Sequence, residues 1–451
     1  MLAVLAGVAS LGLPSDAWAA ETATAAAAPS GKPPVYRVLH VGTLIDGTGA
    51  APRRNVDVLL KDDRIEAIGE RLQAPTGTPV EIDLREYTVL PGFIDCHTHL
   101  THLTSPDAML RQVTRMPADQ AIEAVGYAKA TLEAGFTTVR DVGAGEFVDV
   151  SLKRAIDRGT IPGPRMIVAT QGFSIIGGHG DANGYRPGIL EEHEDYTRGL
   201  PTGADECRRA VRYAHKHGAG VIKIMTSGGV LSAKSTLESR SFSDEELDAI
   251  VGEATLLGLK VCSHAHGKAG ILSAVRAGVA SIEHGTYMDD ECATAMKAKG
   301  TYLVPTRTAG EWVYSHALQG GGSIPPHAVQ KALQVGPVMR EGFRTAYKKG
   351  VKIAFGSDAG VFPHGTNAQE FELLTDLGMK PMEAIVAATG SASDLLGWNE
   401  VGTVQKGRYA DFVVVRGDPL ANITLLARPT AVMKGGQFVR DERANGQTAG
   451  R

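Results

Sequence analysis

PGFIDCHTHL, residues 91–100, runs from a Pro-Gly turn through a short apolar segment into two histidines one residue apart. Alternate side chains of a β-strand share a face, so His97 and His99 can aim both imidazoles at one point while Cys96 and Thr98 face away. Two ligands of one metal ion have that geometry. So do two core histidines, each satisfied by its own neighbour, and the rest of the chain has to decide between them.

The sequence downstream repeats one pattern. Apolar runs at VLPGFIDC, TTVRDVG, RMIVATQ, VIKIMTSG, KVCSHAHG, ASIEHGTY, TYLVPT and KIAFGSDAG alternate with helical-period stretches such as PADQAIEAVGYAKATLEAG and SDEELDAIVGEATLLG. Ser243 followed by Glu246 supplies a capping box for the second of these. Eight strands alternating with helices across residues 91–399 predict an α/β fold, a (β/α)8 barrel of the TIM type. The alternative, a doubly wound open sheet, lacks a Gly-x-Gly-x-x-Gly after its first strand. Residues 36–90 read instead as short antiparallel strands set off by turn residues, and the same texture returns in GTVQKGRYADFVVV and AVMKGGQFV. Residues 36–90 and 400–445 are therefore expected to pair into one small β-sandwich-like domain built from both chain ends.

In such a barrel the chemistry sits at the carboxyl ends of the strands. The first strand ends in His97 and His99, the fourth carries Lys223, the fifth His264, the sixth His284 and the eighth Asp358. All six can face one volume. As unrelated buried polar groups, each would need its own partner, at a cost of about 1–3 kcal/mol where that partner is missing. A shared metal site accounts for all of them at once.

His-x-His after strand one, Lys after four, His after five, His after six and Asp after eight resembles the binuclear members of the amidohydrolase superfamily, over essentially the whole chain. SHAHG around His264, IEHGT around His284, TSGG after Lys223 and IIGGHGD around His179 are most similar to the branch holding imidazolonepropionase, prolidase-like dipeptidases and carboxypeptidases, and ochratoxin-hydrolysing amidases. The resemblance implies two divalent metal ions held by His97, His99, Lys223, His264, His284 and Asp358. It also implies that Lys223 is carboxylated to N6-carboxylysine, because a protonated lysine has no lone pair to ligate a cation. Two divalent ions, less one charge each for the carbamate, Asp358 and a bridging hydroxide, leave about one positive charge to polarise a carbonyl. Zinc suits imidazole and carboxylate donors, and manganese, cobalt or nickel can occupy the same ligands. Asp358 is then expected to act as general acid and base, with His179 and His266 as candidates to stabilise the oxyanion or hold substrate. Arg140-Asp141, at the end of strand two, reads as a structural ion pair under the site.

The expected reaction is hydrolysis of an amide, to a C-terminal amino acid as in an Xaa-Pro dipeptide, an N-acyl amino acid or an ochratoxin-like compound. Cyclic-amide, lactone and phosphotriester hydrolysis stay open as alternatives, because one hydroxide can attack all of them. A non-catalytic scaffold would be expected to have lost ligands. The loops after strands three, four and seven carry His179, Lys234, Arg240 and Arg307, which suggests a cationic rim able to clamp a free carboxylate, with Arg307 as a substrate-binding candidate.

The bulk numbers set the remaining bounds. With 451 residues, a net charge of −4 and no Lys/Arg block, the chain offers no electrostatic footprint for nucleic acid. Residues 1–20, an apolar run with Ala17-Trp18-Ala19 as an A-x-A cleavage site, read as a signal peptide, and 21–35 as a disordered leader. That reading expects a periplasmic or secreted enzyme with no membrane contact in its mature form; a cytoplasmic enzyme with an Ala-rich tail is the alternative. Cys96, Cys207, Cys262 and Cys292 have neither disulfide nor metal spacing and are expected as free thiols. The resemblance further implies a homo-oligomer.

Overall fold

The structure is a computed structural model and describes residues 33–190 and 194–443. The signal peptide read at 1–20, and the leader apart from its last three residues, lie outside them. The first strands are β1 (Tyr36–Leu44), β2 (Arg53–Lys61), β3 (Arg64–Gly69) and β4 (Val80–Pro91). They are followed by β5 (Phe93–Thr98), β6 (Phe136–Asp141), β7 (Arg165–Val168), β8 (Gly172–Phe173) and β9 (Ile222–Met225). Then come β10 (Val261–Ala265), β11 (Ser281–His284), β12 (Tyr302–Val304), β13 (Phe412–Arg416), β14 (Ala431–Lys434) and β15 (Gln437–Asp441).

The two chain ends meet in one sheet, in the order β15-β14-β13-β4-β1-β2-β3. β4 makes the junction, because it pairs with β1 along one edge and with β13 along the other. Two expectations change here. The β1/β4 pairing is parallel, because the chain passes through β2 and β3 before returning to the free edge of β1. Hydrogen bonding also joins all seven strands in a single sheet, where a two-layer sandwich was expected. Leu39, Val41, Val58, Leu84 and Phe412 belong to its own apolar cluster.

The alternating middle of the chain forms two parallel sheets, β5-β6-β7 and β12-β11-β10-β9-β8. Gly220 N–H donates to Val168 O at 2.8 Å, linking the end of β7 to the approach to β9. KIAFGSDAG lies between β12 and β5: Lys352 O accepts from Leu303 N–H (2.8 Å), Phe355 O from Cys96 N–H (2.9 Å), and Asp358 N–H donates to His97 O (2.8 Å). It is not the regular strand its apolar pattern predicts, and pairs only through isolated bridges at Ile353 and Ala359. Ser357 N–H is drawn off the ladder to Asp95 Oδ1 (3.1 Å), and Asp358 turns to a left-handed φ of 62°. The short strand β8, paired with β9, has no counterpart in the sequence reading.

Helices pack outside these strands. Pro117–Glu133 and Asp244–Leu256 form where the periodicity places them, and the second has its capping box: Glu246 N–H donates to Ser243 Oγ (3.2 Å) and Ser243 N–H to the Glu246 carboxylate (2.8 Å). Phe93, Phe136, Phe355 and Phe371 pack with their rings tilted, or edge-on between Phe93 and Phe371, at centroid distances of 4.6–5.6 Å. Each ring contributes about 1.5–3 kcal/mol by its burial, and together they clamp the start of β5 against the Lys352–Ala359 run, whose far ends carry His97 and Asp358. All four cysteines are buried and free, with their thiols pushed up by that burial. Among the described residues no helix is long and apolar enough to cross a membrane.

Candidate metal centre

β5 is buried on both faces, so the histidines at its end need polar partners inside the protein. His97 Nδ1–H donates to Glu283 Oε2 at 2.7 Å, and His99 Nδ1–H to Gly143 O at 3.0 Å. Both rings therefore present an Nε2 lone pair to the same place. Each Nε2 lies 3.5 Å from Asp358 Oδ1, too far for a good hydrogen bond. That oxygen is buried and accepts no hydrogen bond. Two nitrogens and an orphaned carboxylate oxygen, all within 4.8 Å of one another, suit a cation about 2.0–2.2 Å from each.

A second group lies beside the first. His264, His266 and His284 also bring one ligand atom each within 4.8 Å of the others. His264 Nε2–H donates to Gly228 O (3.2 Å), leaving Nδ1 free. His284 Nδ1–H donates to Thr306 Oγ1 (2.6 Å), whose own proton goes to Pro305 O. His266 is bonded through Nδ1 to Thr286 Oγ1 (2.5 Å). The His97 and His284 rings are 5.1 Å apart and join the two groups. Burial, with Lys223 adding to it, holds the imidazoles of His97 and His99 below their usual pKa, His99 at about 3, so the rings are neutral. Only a neutral ring has a lone pair for a cation. The donor set fits a metal centre.

Lys223, on β9, is only 2 % exposed and lines the same cleft. Burial lowers its pKa, opposed by Cys262, Glu283 and Asp358. Burial likewise raises Asp358, to about 8, with Lys223 pulling the other way. The His179 ring lies tilted by 31° against that of His264 with centroids 4.2 Å apart, and its Nδ1 is buried without a partner. Gly229 makes room for that ring, since a Cβ there would lie 2.1 Å from its Cε1. His284, Thr306 and Asp358 all hold left-handed φ angles (71°, 47° and 62°), and such backbone strain persists where the surrounding structure over-determines it.

The six expected ligands, with His179 and His266, thus line one cleft of about 350 Å³. Arg307 does not line it. It opens the helix Arg307–Leu318 and is 1 % exposed, its N–H held by Glu370 at 2.8 Å and its guanidinium 3.6 Å from Glu311. Arg240 is tied to Asp244 and Phe242 O, and Lys234 is exposed away from the lining. Among the described residues of the cleft wall, Lys223 is the one Lys or Arg. Among the described residues, then, His179 lines the cleft while Lys234, Arg240 and Arg307 do not: charge spacing in a loop sequence does not say which way the side chains turn.

Arg140 and Asp141 are also not partners. As neighbours on β6 they face opposite ways: Asp141 accepts from Leu100 N–H (2.6 Å), while Arg140 reaches Glu283 Oε1 (2.8 Å) and Cys96 O (2.6 Å). Glu283 thereby links a buried cation to His97 Nδ1. Glu283→Gln is expected to weaken metal binding by about 10- to 100-fold, the usual cost of disturbing the hydrogen bond behind a ligating histidine. Competition with a chromophoric chelator reads this directly. Asp95 was missed too, although Asp95, His97 and His99 alternate on one face. Its carboxylate accepts from His97 N–H (3.0 Å), Ser357 N–H (3.1 Å), Ser357 Oγ–H (2.5 Å) and Asn367 Nδ2–H (2.8 Å), so one buried group fixes both ligand-bearing segments.

Comparison with known proteins places this geometry in context. Residues 88–439 match the amidohydrolase family. The chain is 32 % identical over 426 residues to ochratoxinase of Aspergillus niger, covering 89 % of this chain and 86 % of that one. It is similar to the crystal structure of an Xaa-Pro dipeptidase with methionine bound in the active site (TM-score 0.85, 38 % identity, 89 % of this chain and 99 % of that one). It is also similar to a prolidase complexed with N-methylphosphonate-L-proline (TM-score 0.82, 32 % identity, 90 % and 100 %).

Proposed function

The chain belongs to the amidohydrolase family and is a hydrolase acting on C–N bonds, and from that premise we propose that it cleaves the amide bond to a C-terminal amino acid, in a dipeptide or an N-acyl amino acid, at a binuclear metal centre. The observation that carries this is the convergence of His97, His99, Lys223, His264, His284 and Asp358 on one cleft. The hydrogen bonds from Gly220 to Val168, and from the Lys352–Ala359 run to both β12 and β5, support a closed barrel as its frame. The ligands of two of the similar structures, methionine and a phosphonate analogue built on proline, support an amino acid on the leaving side.

His97, His99 and Asp358 would hold one ion and His264 and His284 the other, with Lys223, as its carbamate, between them. When bound, such a pair lowers the pKa of a water toward about 7 and polarises the carbonyl it attacks. Burial favours the neutral form of Lys223, and the neutral amine is the form that adds CO2. Asp358 takes the proton of the attacking water and passes it to the leaving amine. His179, held neutral by its burial and lining the cleft beside His264, donates to the developing oxyanion. His266 orients the carbonyl beside it.

The test is hydrolysis of leucyl-proline and N-acetyl-leucine by the holoenzyme, set against a γ-lactone and a phosphotriester. Release of the free amino acid, lost on chelation, is the expected result. Turnover of the lactone or phosphotriester alone would overturn the reading.

A further inference from the structure

We propose that a second cavity, adjoining the cleft, binds a carboxylate carried on the far end of the substrate's acyl half, with Arg111 and Arg115 as its cationic side. This rests on the amide-hydrolase reading, in which the leaving side is a single amino acid, so that a longer substrate grows on its acyl side. The cavity measures about 770 Å³, and His102, Ala108, Gln112 and Asp181 line both it and the cleft. Ala108 and Gln112 belong to the helix Ala108–Thr114, which also carries Arg111 and is capped by Arg115, whose N–H donates to Arg111 O at 2.9 Å. Both arginines line the second cavity, and neither lines the cleft. An acyl chain that leaves the cleft past this helix meets them.

Positive charge is in excess at this helix. Glu123, on the helix Pro117–Glu133, accepts from Arg111 Nη2 (3.0 and 3.2 Å), from Arg115 Nη2 (2.5 Å) and from Tyr127 O–H (3.1 Å). One carboxylate thus faces two guanidinium groups, and one positive charge is left over. Arg115 Nε is buried without a partner, so the pair has more donors than the chain supplies acceptors. The charge is felt at the shared wall: burial first, and then Arg115, hold the His102 imidazole down at about 4, so that ring is neutral and adds no charge of its own. The cavity's other charges, among the described residues, restrict what it accepts. Arg198 is paired with Glu146. Asp181 accepts from Gly177 N–H and Ala182 N–H, both at 2.7 Å, and Glu194 is exposed. With these two acids beside a single spare cation, the cavity favours one carboxylate over a phosphate or a polyanion, and guanidinium is the group whose planar donors match a carboxylate.

The experiment measures kcat/KM of the holoenzyme for leucine N-acylated with malonyl, succinyl, glutaryl and adipoyl groups, each set against its own terminal methyl ester. At the chain length that reaches past the helix, the acid is expected to exceed its ester at least about tenfold, the effect of a charge-assisted hydrogen bond to a partly exposed arginine. Arg115→Gln should bring that ratio to within about twofold of one, while Arg115→Lys, which keeps the charge but not the planar donors, should retain part of it. Arg111→Gln replaces Arg115→Gln if the latter does not fold. Binding of the same compounds to metal-loaded Asp358→Asn is followed by calorimetry, so the preference is read without turnover. Tighter binding of an acid than of its ester, abolished by Arg115→Gln, with no hydrolysis by the wild type would support the carboxylate site while removing the amide-hydrolase reading. A ratio near one at every chain length, or a ratio that Arg115→Gln leaves unchanged, would overturn the proposal. So would faster turnover of N-acetyl-glutamate than of N-acetyl-leucine that Arg115→Gln abolishes, because it would put the carboxylate on the leaving side.

Discussion

Lys223→Ala is expected to fold normally and to lose at least about 99 % of its turnover together with half or more of its bound metal, since even disturbing the partner behind a ligand costs 10- to 100-fold. Lys223, the second residue of β9, is almost wholly buried in the wall that also carries His97, His99, His264 and His284. A buried ammonium among these donors would repel cations, whereas a carbamate offers two oxygens able to bridge them. Alanine removes the bridge and leaves a space of the shape of the lost side chain. Propionate, whose carboxylate can occupy the end of that space, should therefore restore part of the activity. Elemental analysis settles the matter, because two tightly held ions in Lys223→Ala would rule out the bridging role.

Asp358→Asn is expected to lower kcat by about 10²–10⁴, the usual loss of a general base, while metal content falls much less. Asparagine suits this test. It keeps one oxygen for the ion, matches the volume, and tolerates the left-handed φ of 62° that position 358 requires. What it lacks is a site for the proton between the attacking water and the leaving amine. Near-wild-type kcat in metal-replete Asp358→Asn would remove Asp358 from the proton path.

The convergence of these residues on one cleft was legible in the sequence because strand alternation is a local rule. FIDCHTH places His97 and His99 on one side whatever surrounds them, and a polar residue ending an apolar strand marks the active end of its sheet. What depends on distant partners was not legible. Arg140 and Asp141 are adjacent in sequence, yet Arg140 pairs with Glu283, 143 positions away. Glu283 in the apolar strand SIEH announced that some cation or donor must meet it, but not which one. The parallel partner of β1 was hidden for the same reason: β4 arrives at the free edge of β1 only after β2 and β3 have been laid down. The Lys352–Ala359 segment read as an ordinary strand because its apolar pattern is regular. Asp95, reaching across from β5, takes its backbone donor and bends it.

The most direct test of the account is metal titration of the chelator-stripped enzyme, with amino-acid release from N-acetyl-leucine as the readout. If the six ligands act as one binuclear centre, stripped enzyme is inactive and Zn2+ restores turnover along a curve that saturates at two ions per chain. Full turnover in the stripped enzyme, or saturation at a single ion, would contradict it.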